Sequence, residues 1–369
     1  MTLVASTVLP MDTTDRRTTL VVIFGGQSAE HDVSCVTAAH VLRAANPDTY
    51  RTVPVGIARD GKWRLPDMAE LSNGGVDPAS VPTHLITAGT VTTSTVLSQL
   101  AESGPIVVMP LLHGPLGEDG TIQGLLEMLD LPYVGSAVLA SAVAMDKGVS
   151  KSLFAQAGIP QARHIALRED TVTQDSLNDV VLSLGFPMFV KPANMGSSVG
   201  VSKAHDLHEL RTAVQLAAGY DQWIMCEEAI VGREIEVAVI GNRAPRASVA
   251  GEITPGNDFY DYEDKYVTDA ATLNIPARLS PEQSDDVRSL AIAAYETLHC
   301  EGMARVDFFF EENGRGFLCN EINTIPGFTP ISMYPKLWAA SGLAYPDLID
   351  ELIVHSLERH ARRKRNTVR

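Results

Sequence analysis

Toward the C-terminal end, two apolar runs, residues 304–310 (ARVDFFF) and 317–321 (FLCNE), are separated only by the polar, glycine-containing stretch 311–316 (EENGRG), which reads as a hairpin turn. Side chains alternate faces along a strand, so Arg305 and Asp307 share one face, and Glu321 and Asn323 share one beyond the turn. With a loop of odd length centred on Gly314, Asp307 lies opposite Glu321 and Arg305 opposite Asn323. Three oxygen-bearing side chains then sit beside a guanidinium, and the flanking Phe308, Phe309, Phe310, Phe317 and Leu318 imply burial. Buried acids are costly without a cation. Hard oxygen donors suit Mg²⁺, which usually recruits phosphate oxygens as well, so these residues fit a metal–nucleotide site; a solvated hairpin face is the plain alternative.

The first third of the chain has a different rhythm. Residues 19–24 (TLVVIF) form a β-branched run that stops at Gly25-Gly26, and an amphipathic segment, 32–44, follows. A second strand signal lies at 50–57 and a third at 105–112 (PIVVMPLL), which leads through a glycine loop into a helical stretch at 121–129. Strands alternating with helices predict an open α/β domain to about residue 138, with surface insertions in the Ser/Thr/Gly/Pro-rich stretch 66–104. Residues 140–157 read as one helix ended by Gly158-Ile159-Pro160. Short runs at 186–192, 223–228, 233–240 and 247–253 then predict two mostly antiparallel sheets in an α+β arrangement, with a helix at 281–298 before the acidic hairpin.

A length of 369 residues fits two to three domains of roughly 150 residues each. The formal net charge of −16 has the wrong sign for a chain that wraps nucleic acid. Cys35, Cys226, Cys300 and Cys319 are far apart without CxxC spacing, as expected of reduced thiols in a cytoplasmic protein. There is no signal-peptide pattern and no apolar run of membrane-spanning length, so no membrane association is expected. Residues 1–17 read as a loose leader, and 359–369, with six basic residues and no acid, as a solvated tail.

No GxxxxGK[ST] or GxGxxG fingerprint occurs. A different phosphate cradle is possible at 196–200 (GSSVG), where backbone N–H groups and the Ser197 and Ser198 hydroxyls follow a strand ending in Lys191-Pro192. A simple turn between strands is the alternative there. Glu30, at the entrance to a helix, and His113, at the exit of the third strand, occupy the carboxyl ends of strands, where open α/β sheets bind ligands; structural roles remain open for both.

Together these segments resemble the D-alanine–D-alanine ligase family of the ATP-grasp superfamily. The matching blocks are GGQSAEHDVS (25–34), LHGPLGEDGTIQG (112–124), MDK (145–147), FVKPANMGSSVGVSK (189–203), EEAIVGREIEVAV (227–239), FYDYEDKY (259–266), ARVDFF (304–309) and NEINTIPGFTPIS (320–332). They follow the family's order and cover nearly the whole chain except its ends.

The resemblance implies three domains: an N-terminal open α/β (pre-ATP-grasp) domain at 18–138, then two α+β domains at 139–229 and 230–358 that sandwich ATP. It places Lys147, Lys191 and Lys265 at ATP, closes the Ser197-Ser198 loop over the phosphates, lines the adenine with Glu227, Glu228 and Ile230, and sets Glu234 at the ribose. Asp307, Glu321 and Asn323 fall on the family's Mg²⁺ (or Mn²⁺) ligands, with two ions per active site and a monovalent cation as a further option. Glu30 meets the first D-alanine's ammonium beside His113, Arg305 and the Gly327 N–H stabilise the oxyanion, and Ser332 and Lys265 hold the second carboxylate. Lys265 and Tyr266 belong to a lid pinned by a Glu30–Ser197–Tyr266 trio. The implied reaction joins two D-alanines through an acylphosphate for peptidoglycan precursors, in a cytoplasmic homodimer.

This chain departs from the family pattern at Asn194-Met195, before the Gly-Ser-Ser, and at Ile331. The close alternative is a D-alanine–D-lactate ligase, which Tyr266 argues against. An ATP-grasp carboxylase and a non-catalytic amino-acid-binding protein are more distant alternatives.

Overall fold

A computed structural model describes residues 16–66, 82, 85–86, 90–102, 104–254 and 272–364. The first sheet contains β1 (Thr18–Gly25), β2 (Tyr50–Ile57), β3 (Trp63–Leu65), β4 (Thr90–Thr92) and β5 (Ile106–Pro110), in the order β4-β3-β2-β1-β5. β1 pairs parallel with β2 and β5, while β3 and β4 extend the edge antiparallel. Helix α1 (His31–Ala44) begins just beyond Gly25-Gly26. Gly25 has φ +89, and a Cβ there would come within 2.2 Å of the Ile57 carbonyl, so this tight exit requires glycine. Short helices α2 (Thr95–Ala101) and α3 (Thr121–Met128) complete this part.

The stretch expected as one helix at 140–157 is two, α4 (Val138–Met145) and α5 (Lys147–Gln156). Asp146 breaks them: its backbone is extended, and its carboxylate accepts from the Val149 N–H as the N-cap of α5. Lys147 thereby becomes the first residue of a helix rather than part of its middle.

The middle sheet, β6 (His164–Arg168), β7 (Met188–Pro192), β8 (Ser202–Ala204) and β9 (Trp223–Glu228), runs in the order β6-β9-β7-β8 and is antiparallel throughout. Helices α6 (Gln174–Leu184) and α7 (Leu207–Ala218) cover one face, where Leu177, Val180, Leu210 and Val214 pack on Met188 and Val190 in a self-contained core. The third sheet contains β10 (Arg233–Gly241), β11 (Arg246–Thr254), β12 (Thr272–Asn274), β13 (Gly302–Glu311) and β14 (Gly316–Asn323), in the order β12-β11-β10-β13-β14. One face, including Ile235, Val237, Val306 and Phe308, packs on α8 (Pro281–Thr297). At one end of the other face, Ala238, Ile240 and Met303 join Leu20, Val22 and Phe24 of β1 in a core completed by α9 (Met333–Ala340) and α10 (Tyr345–Lys364).

The acidic hairpin pairs as expected at its inner end, Arg305 with Asn323 and Asp307 with Glu321, for a different reason. Phe308 pairs with Cys319 and Glu311 with Gly316, so the loop has an even length and Asn320 is an extra, bulged residue. The bulge shifts the register by one and restores the pairing that an odd loop would have produced.

The basic segment expected as a solvated tail from residue 359 is instead helical through Lys364, within α10. Arg359 is 3% exposed, donates to the carbonyls of Tyr133 (2.6 Å) and Gly135, and lies over the Tyr133 ring at 4.2 Å. Arg362 pairs with Glu301 and Arg363 with Glu127. The charges are held because carbonyls and acids of the first and third sheets' surroundings face them, information that a local basic run does not contain. Arg359→Ala should lower stability by about 2–4 kcal/mol by leaving two buried carbonyls without a donor, read as a lower urea midpoint. An unchanged midpoint would mean that the guanidinium contributes nothing there.

Candidate active site

Two adjoining cavities lie along the charged face of the third sheet. One, of about 460 Å³, opens between the middle and third sheets; the other, of about 630 Å³, reaches from the third sheet to the carboxyl ends of β1 and β5. Lys147, Ser197, Glu236, Arg305 and Glu321 line both, so the two form one cleft with a charged junction.

The first cavity collects Lys147, Lys191, Ser197, Ser198, Glu227, Glu228, Ile230, Glu234, Asp307 and Glu321. The second collects Glu30, His113, Asn323, Gly327 and Ser332. Every site residue expected from the sequence is therefore on this cleft, apart from Lys265 and Tyr266, which lie outside the described residues.

Strand alternation explains the junction. Glu234 and Glu236 on β10, and Arg305 and Asp307 on β13, all point away from the α8 core, with Glu236 directly paired to Asp307. The Arg305 guanidinium donates to Asp307 through Nε and Nη2, both at 2.7 Å, and its Nε lies 3.0 Å from Glu236 Oε2. Two carboxylates thus fix its plane and, although burial opposes its charge, hold it protonated. Asn323 Nδ2 donates to Asp307 at 2.9 Å. Among the described residues no three His, Cys, Asp or Glu side chains form a metal cluster by themselves. The donors Asp307, Glu321 and Asn323 are two carboxylates and an amide on adjacent strands, a hard-oxygen set that fits Mg²⁺ in donor chemistry.

Cations gather beside these acids. Lys147 donates to the Met195 carbonyl at 2.7 Å and lies 3.6 Å from Glu321. Lys191 meets Glu227 at 2.8 Å, and the fully buried Lys151 approaches the same carboxylate at 3.2 Å. Burial by itself raises the Glu227 carboxyl, but Lys151 and Lys191 outweigh it and hold the group at about 2. The Glu228 carboxylate accepts from Arg163 (2.8 Å) and Arg315 (2.6 Å).

At the far end the loop after β7 takes left-handed backbone at Ser197 (φ 49) and Ser198 (φ 59), and the Ser197 hydroxyl donates to Glu30. That contact links the glycine–serine loop to the start of α1 across 167 residues. His113, which borders the second cavity, has Nδ1 3.1 Å from the Ile325 carbonyl, while its buried Nε2 has no hydrogen-bond partner among the described residues. Burial pushes His113 down. Burial and the nearby Glu30 push the Glu118 carboxyl up to about 8, although it accepts from the Gly114 N–H at 2.7 Å.

Sequence reading overlooked Lys151, Glu118 and Glu236. Each carried a periodic or local signal: Lys151 is one helical turn from Lys147, Glu236 shares a strand face with Glu234, and Glu118 lies inside the glycine loop that holds His113.

Family models described as D-ala D-ala ligase N-terminus and C-terminus match residues 19–136 and 153–354. The chain belongs to the D-alanine–D-alanine ligase family. It is 47% identical to a D-alanine--D-alanine ligase of Geobacillus thermodenitrificans, over 93% of this chain and 96% of that one. A second relative of that name, from Bacillus pumilus, is 46% identical over 92% and 95%. Among solved structures, the D-alanine-D-alanine ligase from Coxiella burnetii superposes with a TM-score of 0.83 at 37% identity, covering 95% of this chain and 97% of that one. The VanG D-Ala:D-Ser ligase from Enterococcus faecalis gives 0.80 at 31%, covering 92% and 99%. The fold is the three-domain ATP-grasp arrangement of these enzymes, and the carboxylase and non-catalytic binding-protein alternatives fall away. No helix among the described residues is long and apolar enough to cross a membrane.

Glu118 supplies a pH prediction. Its folded carboxyl is raised, so the folded state binds the proton more tightly than the unfolded chain, and stability from this group is lost as pH rises from the ordinary carboxylate range to about 8. Glu118→Gln mimics the protonated form and should flatten that loss in thermal melts across the interval. An unchanged slope would show that the carboxyl is ionised in the fold.

Proposed function

We propose that this enzyme joins two D-alanines to D-alanyl-D-alanine with conversion of ATP to ADP and phosphate, supplying the dipeptide for peptidoglycan precursors. The observation that carries the reading is the single cleft: a cavity bordered by lysines and a glycine–serine loop meets, at Arg305, a second cavity bearing Glu30. The names of the relatives support the same substrates and do not favour the D-lactate alternative.

ATP occupies the first cavity. Glu227 and the 228–230 segment receive the adenine, Glu234 receives the ribose, and Lys147, Lys191 and the Ser197-Ser198 loop receive the phosphates. Asp307, Glu321 and Asn323 hold the divalent ions, Mg²⁺ or Mn²⁺, two per site; when bound they neutralise phosphate charge. Glu30 pairs with the ammonium of the first D-alanine in the second cavity, with His113 beside it. That substrate's carboxylate attacks the γ-phosphate and displaces ADP, giving an acylphosphate, an approach of two anions that the clustered cations make feasible. The free amine of a second D-alanine, held by Ser332 and Lys265, then attacks the acylphosphate carbonyl and phosphate leaves.

Arg305, fixed by Asp307 and Glu236, and the Gly327 N–H stabilise the oxyanion of that second step. The Ser197–Glu30 hydrogen bond supports the role of these two residues, with Tyr266, in closing the site against water. The three sheets support three domains, expected at 18–138, 139–229 and 230–358, with the last extended through α10 to Lys364. The four buried free cysteines support a reducing, cytoplasmic setting, and the assembly proposed is a homodimer.

With ATP, Mg²⁺ and D-alanine, the purified protein should release phosphate and D-alanyl-D-alanine in near-equal amounts; preferential ester formation with D-lactate would overturn the substrate assignment. Arg305→Ala should lower kcat about 10²–10³-fold, the loss typical of an oxyanion donor. Wild-type turnover in Asp307→Asn or Glu321→Gln would remove the metal assignment.

A further inference from the structure

Lys151 is a buried charge that the reaction above does not use. It is 0% exposed, one turn along α5 from Lys147, and does not line either cavity, yet its ammonium lies 3.2 Å from Glu227 Oε1. Glu227 Oε2 faces Lys191 at 2.8 Å, and Lys191, unlike Lys151, borders the first cavity beside the glycine–serine loop. One carboxylate thus has two ammonium partners, one accessible from the cleft and one behind it.

We propose that Lys151 is a positioning residue for nucleotide binding: as the permanent counter-ion of Glu227, it lets Lys191 leave that carboxylate for a phosphate. This inference rests on the nucleotide reading of the first cavity. If Lys191 were the sole partner of Glu227, its move to a phosphate would strand a buried carboxylate, which is strongly unfavourable. With Lys151 in place, Glu227 stays ionised and paired after the move. It can then accept a hydrogen bond from a purine's exocyclic amine, and would repel a purine carbonyl at the same position.

The test is calorimetric titration of Mg-ATP, without D-alanine, into wild type, Lys151→Met, Glu227→Gln and the double variant. Lys151→Met should bind more than about five-fold more weakly than wild type, whereas in the Glu227→Gln background, where no carboxylate is stranded, the same change should cost less than about five-fold. In turnover the single variant should raise KM for ATP with kcat largely retained. Binding by Lys151→Met within about five-fold of wild type would overturn the proposal, as would a loss that persists undiminished beside Glu227→Gln. A lysine needed only for packing would give that persistent loss. If Lys151→Met does not fold, the comparison of Glu227→Gln with the double variant decides alone. Failure of wild type to bind Mg-ATP would instead sink the nucleotide reading, so the two failures are distinguishable.

Discussion

The antiparallel pairing of β10, β13 and β14 is the constraint on which the molecule depends. Because side chains alternate along these strands, one register sends Ile235, Val237, Val306 and Phe308 to the α8 core and Glu234, Glu236, Arg305 and Asp307 to the cleft. A slip of one residue would bury the acids and expose the apolar set. The Asn320 bulge matters for this reason: it reconciles the geometry of an even-length turn with the face on which Glu321 and Asn323 must emerge.

Charge compensation is the second organising principle. Arg305 is balanced by Asp307 and Glu236, while Lys147, Lys151 and Lys191 face Glu227 and Glu321, an excess of one ammonium among those five groups. Counted with Arg305, Asp307 and Glu236, four cations face four acids, so the recess where a polyphosphate is proposed to sit holds paired lysines and an arginine rather than a bare positive patch. Net charge describes the exterior and says little about such a recess.

Features governed by short-range periodicity were legible in the sequence. Strands at 50–57 and 223–228 coincide with β2 and β9, whereas the Asp307–Glu321 pairing was expected from an odd turn and is produced by an even turn with the Asn320 bulge. Features that depend on distant partners were not. Asp146 splits a helix whose apolar pattern continues through it, because the cap depends on a backbone turn that the pattern does not encode. Arg359 reads locally as part of a solvated run; its partners, Tyr133 and Gly135, lie more than two hundred residues earlier. Lys151 and Glu118 were passed over because their significance comes from a carboxylate on another element, Glu227 or Glu30.

The distribution of apolar clusters has a mechanical consequence. The first and third sheets share one core through β1, β10, α9 and α10, and Arg359 ties the end of α10 to the chain between α3 and α4. The middle sheet instead closes its core on itself with α6 and α7. Polar contacts such as Arg315–Glu228 and Ser197–Glu30 join that sheet to the rest, beside an apolar seat where Met225 meets Gly148 of α5, a helix whose Phe154 belongs to the third sheet's core. The first and third sheets thus form one apolar unit, and the middle sheet meets it along a seam where α5 and a row of ion pairs stand side by side.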